Sequence, residues 1–229
     1  LRSIMGVPGI CHAATAVTSG AKRGVFFDFD STMTTPIKLP RFHRHAIADS
    51  PEIFSAMTPQ EILANFGGRQ RLKRLGELFQ ALTEAGCELF IVSIGFRDTC
   101  ILPHLHATGL ACHFDEQNVY GQDSRELQDR GFAKGRLIAD LMADPRRAWK
   151  AQDALFIDDS VRHVESAAEI CEVLRVQGNG LSLLELDALE AIAVQGQRSA
   201  PGWQLQHDEA VAAVKQKAFV PGAWYVVPS

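Results

Sequence analysis

Nothing in this 229-residue chain approaches an uninterrupted apolar run of 18 residues, so no transmembrane span and no membrane partner are expected. An excess of positive charge is missing too. Its 23 Lys and Arg stand against 27 Asp and Glu, for a net charge of −4, which speaks against a basic nucleic-acid-binding surface. Cysteine is sparse: Cys11, Cys87, Cys100, Cys112 and Cys171 are odd in number and form no C-x-x-C pair. Buried free thiols in a reducing compartment fit that pattern better than a disulfide framework or a zinc site. Internal repeats and low-complexity blocks are absent, and no acidic residue precedes Asp28. An acid-poor start bearing Arg2, Lys22 and Arg23 fits a transit-peptide remnant, a disordered tail or a truncated chain. The expected location is therefore intracellular and cytoplasmic, or organellar if that start is a transit remnant.

What is present is a 46% hydrophobic composition, enough for one decorated α/β domain to bury a full core. Three apolar runs of strand length stand out: GVFF before Asp28, ELFIV before Ser93, and ALFI before Asp158. Strands apolar on both faces read as buried parallel strands, and ligands of open α/β sheets bind beyond the carboxyl ends of such strands. Between them, Leu72, Leu75, Phe79 and Leu82 recur at helical spacing, with Gly86 closing the pattern. A second stripe, Leu137, Ile138, Leu141 and Met142, follows Lys134. Arg97 to His106 reads as helical, and so does Arg162 to Ile170. Thr58-Pro59-Gln60-Glu61 and Ser182-Leu183-Leu184-Glu185 are capping boxes. CEVLRV is a further strand, while CHF and NVYG read as short strands or a hairpin. Strands alternating with helices predict a doubly wound, mostly parallel sheet.

The organisation expected is a tail over 1–21, a catalytic domain over 22–194 with a small cap insertion at about 33–66, and a C-terminal extension over 195–229. The extension holds one helical pattern near Asp208 to Ala218, and its Trp203 and Trp224 read as packing residues. In the insertion, Arg41, His43, Arg44 and His45 read as a solvated surface ahead of an anion contact.

Four carboxylates end two of the strands: Asp28 and Asp30 in GVFFDFDST, Asp158 and Asp159 in ALFIDDS. Two like charges about 4 Å apart repel by about 4 kcal/mol at an effective dielectric of about 20, so neighbouring pairs call for a cation or raised pKa values. Mg²⁺ suits such a set. Side chains alternate along a strand, so Asp28 and Asp30 share a side if β structure continues through them. One carboxylate can then attack phosphorus while the other carries protons. Ser93 at a strand end and Lys134 at a helix start supply donors for phosphoryl oxygens. Alone, each Asp would read as a helix cap or turn residue.

The ordered set DFDST, Ser93, Lys134 and IDDS resembles the haloacid-dehalogenase-like (HAD) phosphatase superfamily, over about Lys22 to Val194. The resemblance implies a Rossmann-like core and Mg²⁺. It makes Asp28 nucleophile and metal ligand, Asp30 the acid/base whose carbonyl also reaches the metal, and Asp158 with Asp159 the rest of the metal site. Ser93, Lys134 and Gly95 would hold the phosphoryl group. It implies a phosphomonoester substrate, small molecule or phosphoprotein, hydrolysed through an aspartyl-phosphate. VSIGF looks like the VSGGF of phosphoserine phosphatases, but TTPIKLPRF lacks their substrate-binding Glu and IDDS replaces their fourth motif. A phosphomutase or phosphotransferase of the same fold, and a non-catalytic binding module, are the alternatives. A receiver-like signalling module would carry its acidic motifs in the opposite order.

Overall fold

The computed structural model describes residues 22–37 and 57–194. The tail 1–21, the greater part of the insertion with Arg41, His43, Arg44 and His45, and the extension 195–229 with Trp203 and Trp224 lie outside the described residues. Among the described residues no helix is long and apolar enough to cross a membrane.

Five strands, β1 (Gly24–Phe27), β2 (Glu88–Val92), β3 (Val119–Tyr120), β4 (Ala154–Asp158) and β5 (Glu172–Arg175), form one parallel sheet in the order β3-β2-β1-β4-β5. The helices are α1 (Pro59–Asn65), α2 (Arg69–Glu84), α3 (Leu102–Thr108), α4 (Arg125–Gln128), α5 (Lys134–Ala143), α6 (Val161–Ala167) and α7 (Leu183–Val194). Strand alternation splits the core in two. Val25, Phe27, Leu89, Ile91, Leu155 and Ile157 face Leu75, Leu78, Phe79 and Leu82 of α2, Leu105 of α3, and Leu186 and Leu189 of α7. Phe26, Phe90, Val92 and Phe156 face Leu127 of α4, Leu137, Ile138 and Met142 of α5, and Ala167 of α6. The sheet is thus covered on both sides, as the uniformly apolar strands require.

The sequence signals act locally as expected. Thr58 caps α1, its hydroxyl accepting from Glu61 N while the Glu61 carboxylate accepts from Thr58 N, and Ser182 and Glu185 do the same for α7. Gly67 and Gly86 take positive φ where α1 and α2 end. Val119–Tyr120 is the short strand expected within NVYG, parallel beside β2, but one expectation needs correction: Cys112 and His113 of CHF lie in a short 3₁₀ turn, Leu110–His113. Cys87, Cys100 and Cys171 are buried free thiols, whereas Cys112 is exposed.

Gly24 opens β1 under the indole of Trp149. A Cβ there would lie 2.1 Å from the indole ring, and that ring is wedged edge-on against Phe26 and Phe90. Gly24→Ala is therefore expected to destabilise the protein by about 1–3 kcal/mol through overpacking, read as a lower urea midpoint at unchanged slope. An unshifted midpoint would show that the indole moves freely.

Candidate active site

The chain order β1, β2, β3 runs outward on one side of β1 and β4, β5 on the other, so the direction of winding reverses between β1 and β4. A crevice outside the carboxyl ends of strands at such a switch point is where open α/β sheets bind ligands. Phe27 pairs with Ile157, so Asp28 and Asp158 follow abreast at this point. Asp28, Asp158 and Asp159 each bring an oxygen within 4.8 Å of the others.

Lys134, first residue of α5, reaches the same carboxylates. Its Nζ donates to Asp28 Oδ1 at 2.6 Å and to Asp158 Oδ2 at 2.7 Å, with all three side chains nearly or wholly buried. Burial works against the Lys134 charge, but the two carboxylates outweigh it and hold its pKa above the ordinary lysine value. Burial also pushes the Asp28 carboxyl up, against the pull of Lys134. At Asp158 burial is overcome by donors: His163 Nδ1 at 3.2 Å, Lys134, and the backbone N–H of Ser160 at 2.7 Å keep its carboxyl below the usual range. Asp159 is half-buried and raised, first by burial and then by Asp158.

Asp30 reaches the site by a route the period of a strand does not give. β1 stops at Phe27, and the Phe29–Met33 segment turns back on itself, closed by Thr34 N donating to Phe29 O at 2.9 Å. Within it Asp30 is extended and Ser31 is left-handed, with φ 62°. A Cβ on Gly95 would lie 2.8 Å from Asp30 Oδ2 and 3.5 Å from Ser93 Oγ, so the missing side chain leaves room for Asp30. Burial, then the Asp28 charge, raise the Asp30 carboxyl to about 7. Ser93 is buried one residue past β2, and its Oγ accepts from Gly95 N at 3.1 Å.

The residues expected at the site therefore meet. Three carboxylates come within 4.8 Å of one another, and the Asp30 carboxyl lies next to that group, close enough for the Asp28 and Asp159 charges to act on it. In an octahedral Mg²⁺ shell with ligands at about 2.0–2.1 Å, oxygens lie about 2.9 Å apart when adjacent and about 4.1 Å apart when opposite. Oxygens of Asp28, Asp158 and Asp159 lie within 4.8 Å of one another, close enough to be drawn onto one ion by small side-chain shifts, and three carboxylates against one ammonium leave an excess of negative charge for a cation. Two contributors escaped the sequence reading: His163, one turn into α6 behind Asp158, and Arg71, buried beneath the Asp30 turn. For His163 the only signal was its place five residues after Asp158; for Arg71 there was none.

No family model and no curated protein matches the chain. Among solved structures it is similar to a HAD-superfamily hydrolase from Ehrlichia chaffeensis, at 15% identity over 79% of this chain and 100% of that one, with a TM-score of 0.49. It is similar to a HAD family hydrolase from Deinococcus radiodurans R1 with bound phosphate and sodium, at 17% identity over 78% and 99% of the two chains, TM-score 0.48. A third similarity is to DsGPDH of Dunaliella salina, at 18% identity over 73% of this chain and TM-score 0.40; there the chain spans 29% of the other's length. These comparisons carry no activity across, and what this chain shows by its own topology is the Rossmann-like α/β core that its resemblance to the HAD-like superfamily implies.

Proposed function

We propose that this chain is a Mg²⁺-dependent phosphatase that hydrolyses a phosphomonoester through an aspartyl-phosphate on Asp28. The observation that carries the reading is the Lys134 ammonium bridging two buried carboxylates, Asp28 and Asp158, at the switch point of the sheet, with Asp159 beside them. A lone structural ion pair needs one carboxylate; this arrangement keeps a surplus of negative charge at the place where a ligand binds.

In the first step a carboxylate oxygen of Asp28 attacks phosphorus and the ester P–O bond breaks. Asp30 gives its proton to the departing oxygen. In the second, the Asp30 carboxylate takes a proton from water as that water attacks phosphorus, the P–O bond to Asp28 breaks, and inorganic phosphate leaves. Lys134 supplies a fixed positive charge beside the phosphoryl oxygens and keeps Asp28 oriented, while Ser93 and the backbone at Gly95 offer further donors. Mg²⁺, held by Asp28, Asp158 and Asp159, would neutralise charge on the transferring group. The substrate is a phosphorylated small molecule or phosphoprotein.

The test is phosphate release from a panel of phosphomonoesters. Turnover with Mg²⁺ is expected to fall by about 100-fold or more on chelation and to return when Mg²⁺ is restored. Equal rates with and without chelator, or no release from any phosphomonoester, would overturn the reading.

A further inference from the structure

Arg71 lies in the first turn of α2 with its guanidinium buried; among the described residues no carboxylate makes a salt bridge with it, and the Glu185 charge acts on it only from farther away. Among the described residues Arg71 donates four hydrogen bonds, all to main-chain carbonyls. Nε donates to Leu181 O at 2.6 Å, Nη1 to Met33 O at 2.7 Å and to Phe66 O at 3.0 Å, and Nη2 to Thr32 O at 3.1 Å. Three stretches of backbone distant in sequence thus converge on one planar fork: the turn after Asp30, the end of α1, and the approach to α7. They also bond one another. Gly180 N donates to Ser31 O at 2.9 Å, Leu181 N to Thr32 O at 2.8 Å, and Thr35 N to Asn65 O at 2.7 Å.

The surroundings are shaped to this side chain. A Cβ at Gly180 would lie 2.6 Å from Arg71 Nη2, and one at Gly67 would lie 2.9 Å from Arg71 Cδ. Burial lowers the Arg71 pKa only to about 10, so the guanidinium stays charged at neutral pH. A lysine, a point charge without a fork, cannot reach the same carbonyls together.

What the fork holds is the far end of a strained turn. Ser31 is a non-glycine residue at φ 62°, and such a conformation persists only where the surroundings over-determine it. Thr32 is wholly buried, yet its hydroxyl has no hydrogen-bond partner among the described residues. Its place is fixed through its carbonyl, which accepts from both Arg71 and Leu181.

We propose that Arg71 is a positioning residue for Asp30, anchoring Thr32 and Met33 so that the kinked turn delivers the Asp30 carboxyl to Ser93 and Gly95. The effect on turnover rests on the phosphatase reading above; the hold on the turn does not.

Both are tested with Arg71→Met and Arg71→Lys. A misplacement of about 1 Å in a catalytic group can cost about 100-fold, so Arg71→Met should lower kcat by about 10- to 100-fold with KM within about threefold. Arg71→Lys, which keeps the charge and loses the fork, should fall between Arg71→Met and wild type. If Arg71 acts through Asp30, the double variant Arg71→Met/Asp30→Asn should be no slower than Asp30→Asn alone. Multiplying losses, or a raised KM at unchanged kcat, would overturn the proposal. Hydrogen exchange reads the hold without turnover. The amides of Thr34, Gly180 and Leu181 should exchange about 10-fold faster or more in Arg71→Met while those of β1 and β4 keep their protection, and equal exchange at the turn would overturn it. Should Arg71→Met fail to fold, Arg71→Lys is carried through the same measurements. Absence of turnover in the wild type would defeat the phosphatase reading, and the exchange comparison would still decide for or against Arg71.

Discussion

Asp28→Asn is expected to abolish phosphate release, by roughly 10⁴-fold or more, while leaving the fold intact. The amide has the shape of the carboxylate but neither its nucleophilicity nor its charge for a metal. Structural cost should be small for two reasons. The asparagine carbonyl oxygen can still accept from Lys134 Nζ, which keeps its second partner, Asp158. Burial also works against the Asp28 charge in the native protein, so removing that charge relieves a desolvation cost as it weakens an ion pair. A change in stability within about 1 kcal/mol is expected in the metal-free protein. Phosphate release and urea unfolding on the same preparation separate the two effects. An unchanged rate would remove Asp28 from the chemistry, and a lost rate accompanied by unfolding would leave its role undecided between shape and reaction, which Asp28→Ser, smaller and uncharged, would then resolve by restoring the fold without the rate.

Much of this site was legible because parallel strands make a sequence landmark into a spatial one. GVFF and ALFI are apolar throughout, so both had to be buried, and whatever follows such strands emerges at one rim; pairing of Phe27 with Ile157 brings Asp28 level with Asp158. Lys134 was legible as the start of an amphipathic helix. Asp30 was found for a reason only half right. The alternation argument needs β1 to continue, and instead the chain bends through a left-handed Ser31, so Asp30 arrives by way of a turn whose geometry depends on residues 71 and 181, far away in sequence. Arg71 illustrates why such contributors escape. An arginine in RQRLKR near a helix start looks like solvated surface, and only the tertiary meeting of three backbone segments shows that its partners are carbonyls. The same holds for Gly24, which reads as a weak strand residue until the Trp149 ring is seen lying across it.

Lys134→Met is expected to destabilise the metal-free protein by about 3–4 kcal/mol at pH 7, a larger structural effect than that of any carboxylate replacement here. Methionine retains most of the stem, so lost packing is minor. Lost charge is not. Asp28 and Asp158 would remain buried with no ammonium between them, and two like charges within 4.8 Å repel by about 3–4 kcal/mol at an effective dielectric of about 20. The folded variant can escape by keeping one carboxyl protonated, but holding a proton at pH 7 on a group that ionises near 3.9 when unfolded costs about 4 kcal/mol, so neither route is cheap. The sign of the pH dependence follows. The folded variant binds a proton that the unfolded chain releases, so its stability falls as pH rises and recovers as pH drops toward 4. At pH 5 the proton costs only about 1.5 kcal/mol, and the deficit against wild type should shrink accordingly. Mg²⁺ offers the other remedy, because a cation that binds only the folded site stabilises it by mass action. Urea unfolding of wild type and variant at pH 5 and pH 7, each with chelator and with Mg²⁺, measures all of this. A deficit that neither acid nor Mg²⁺ reduces would mean that the ammonium serves packing alone, and that the three carboxylates do not share one field.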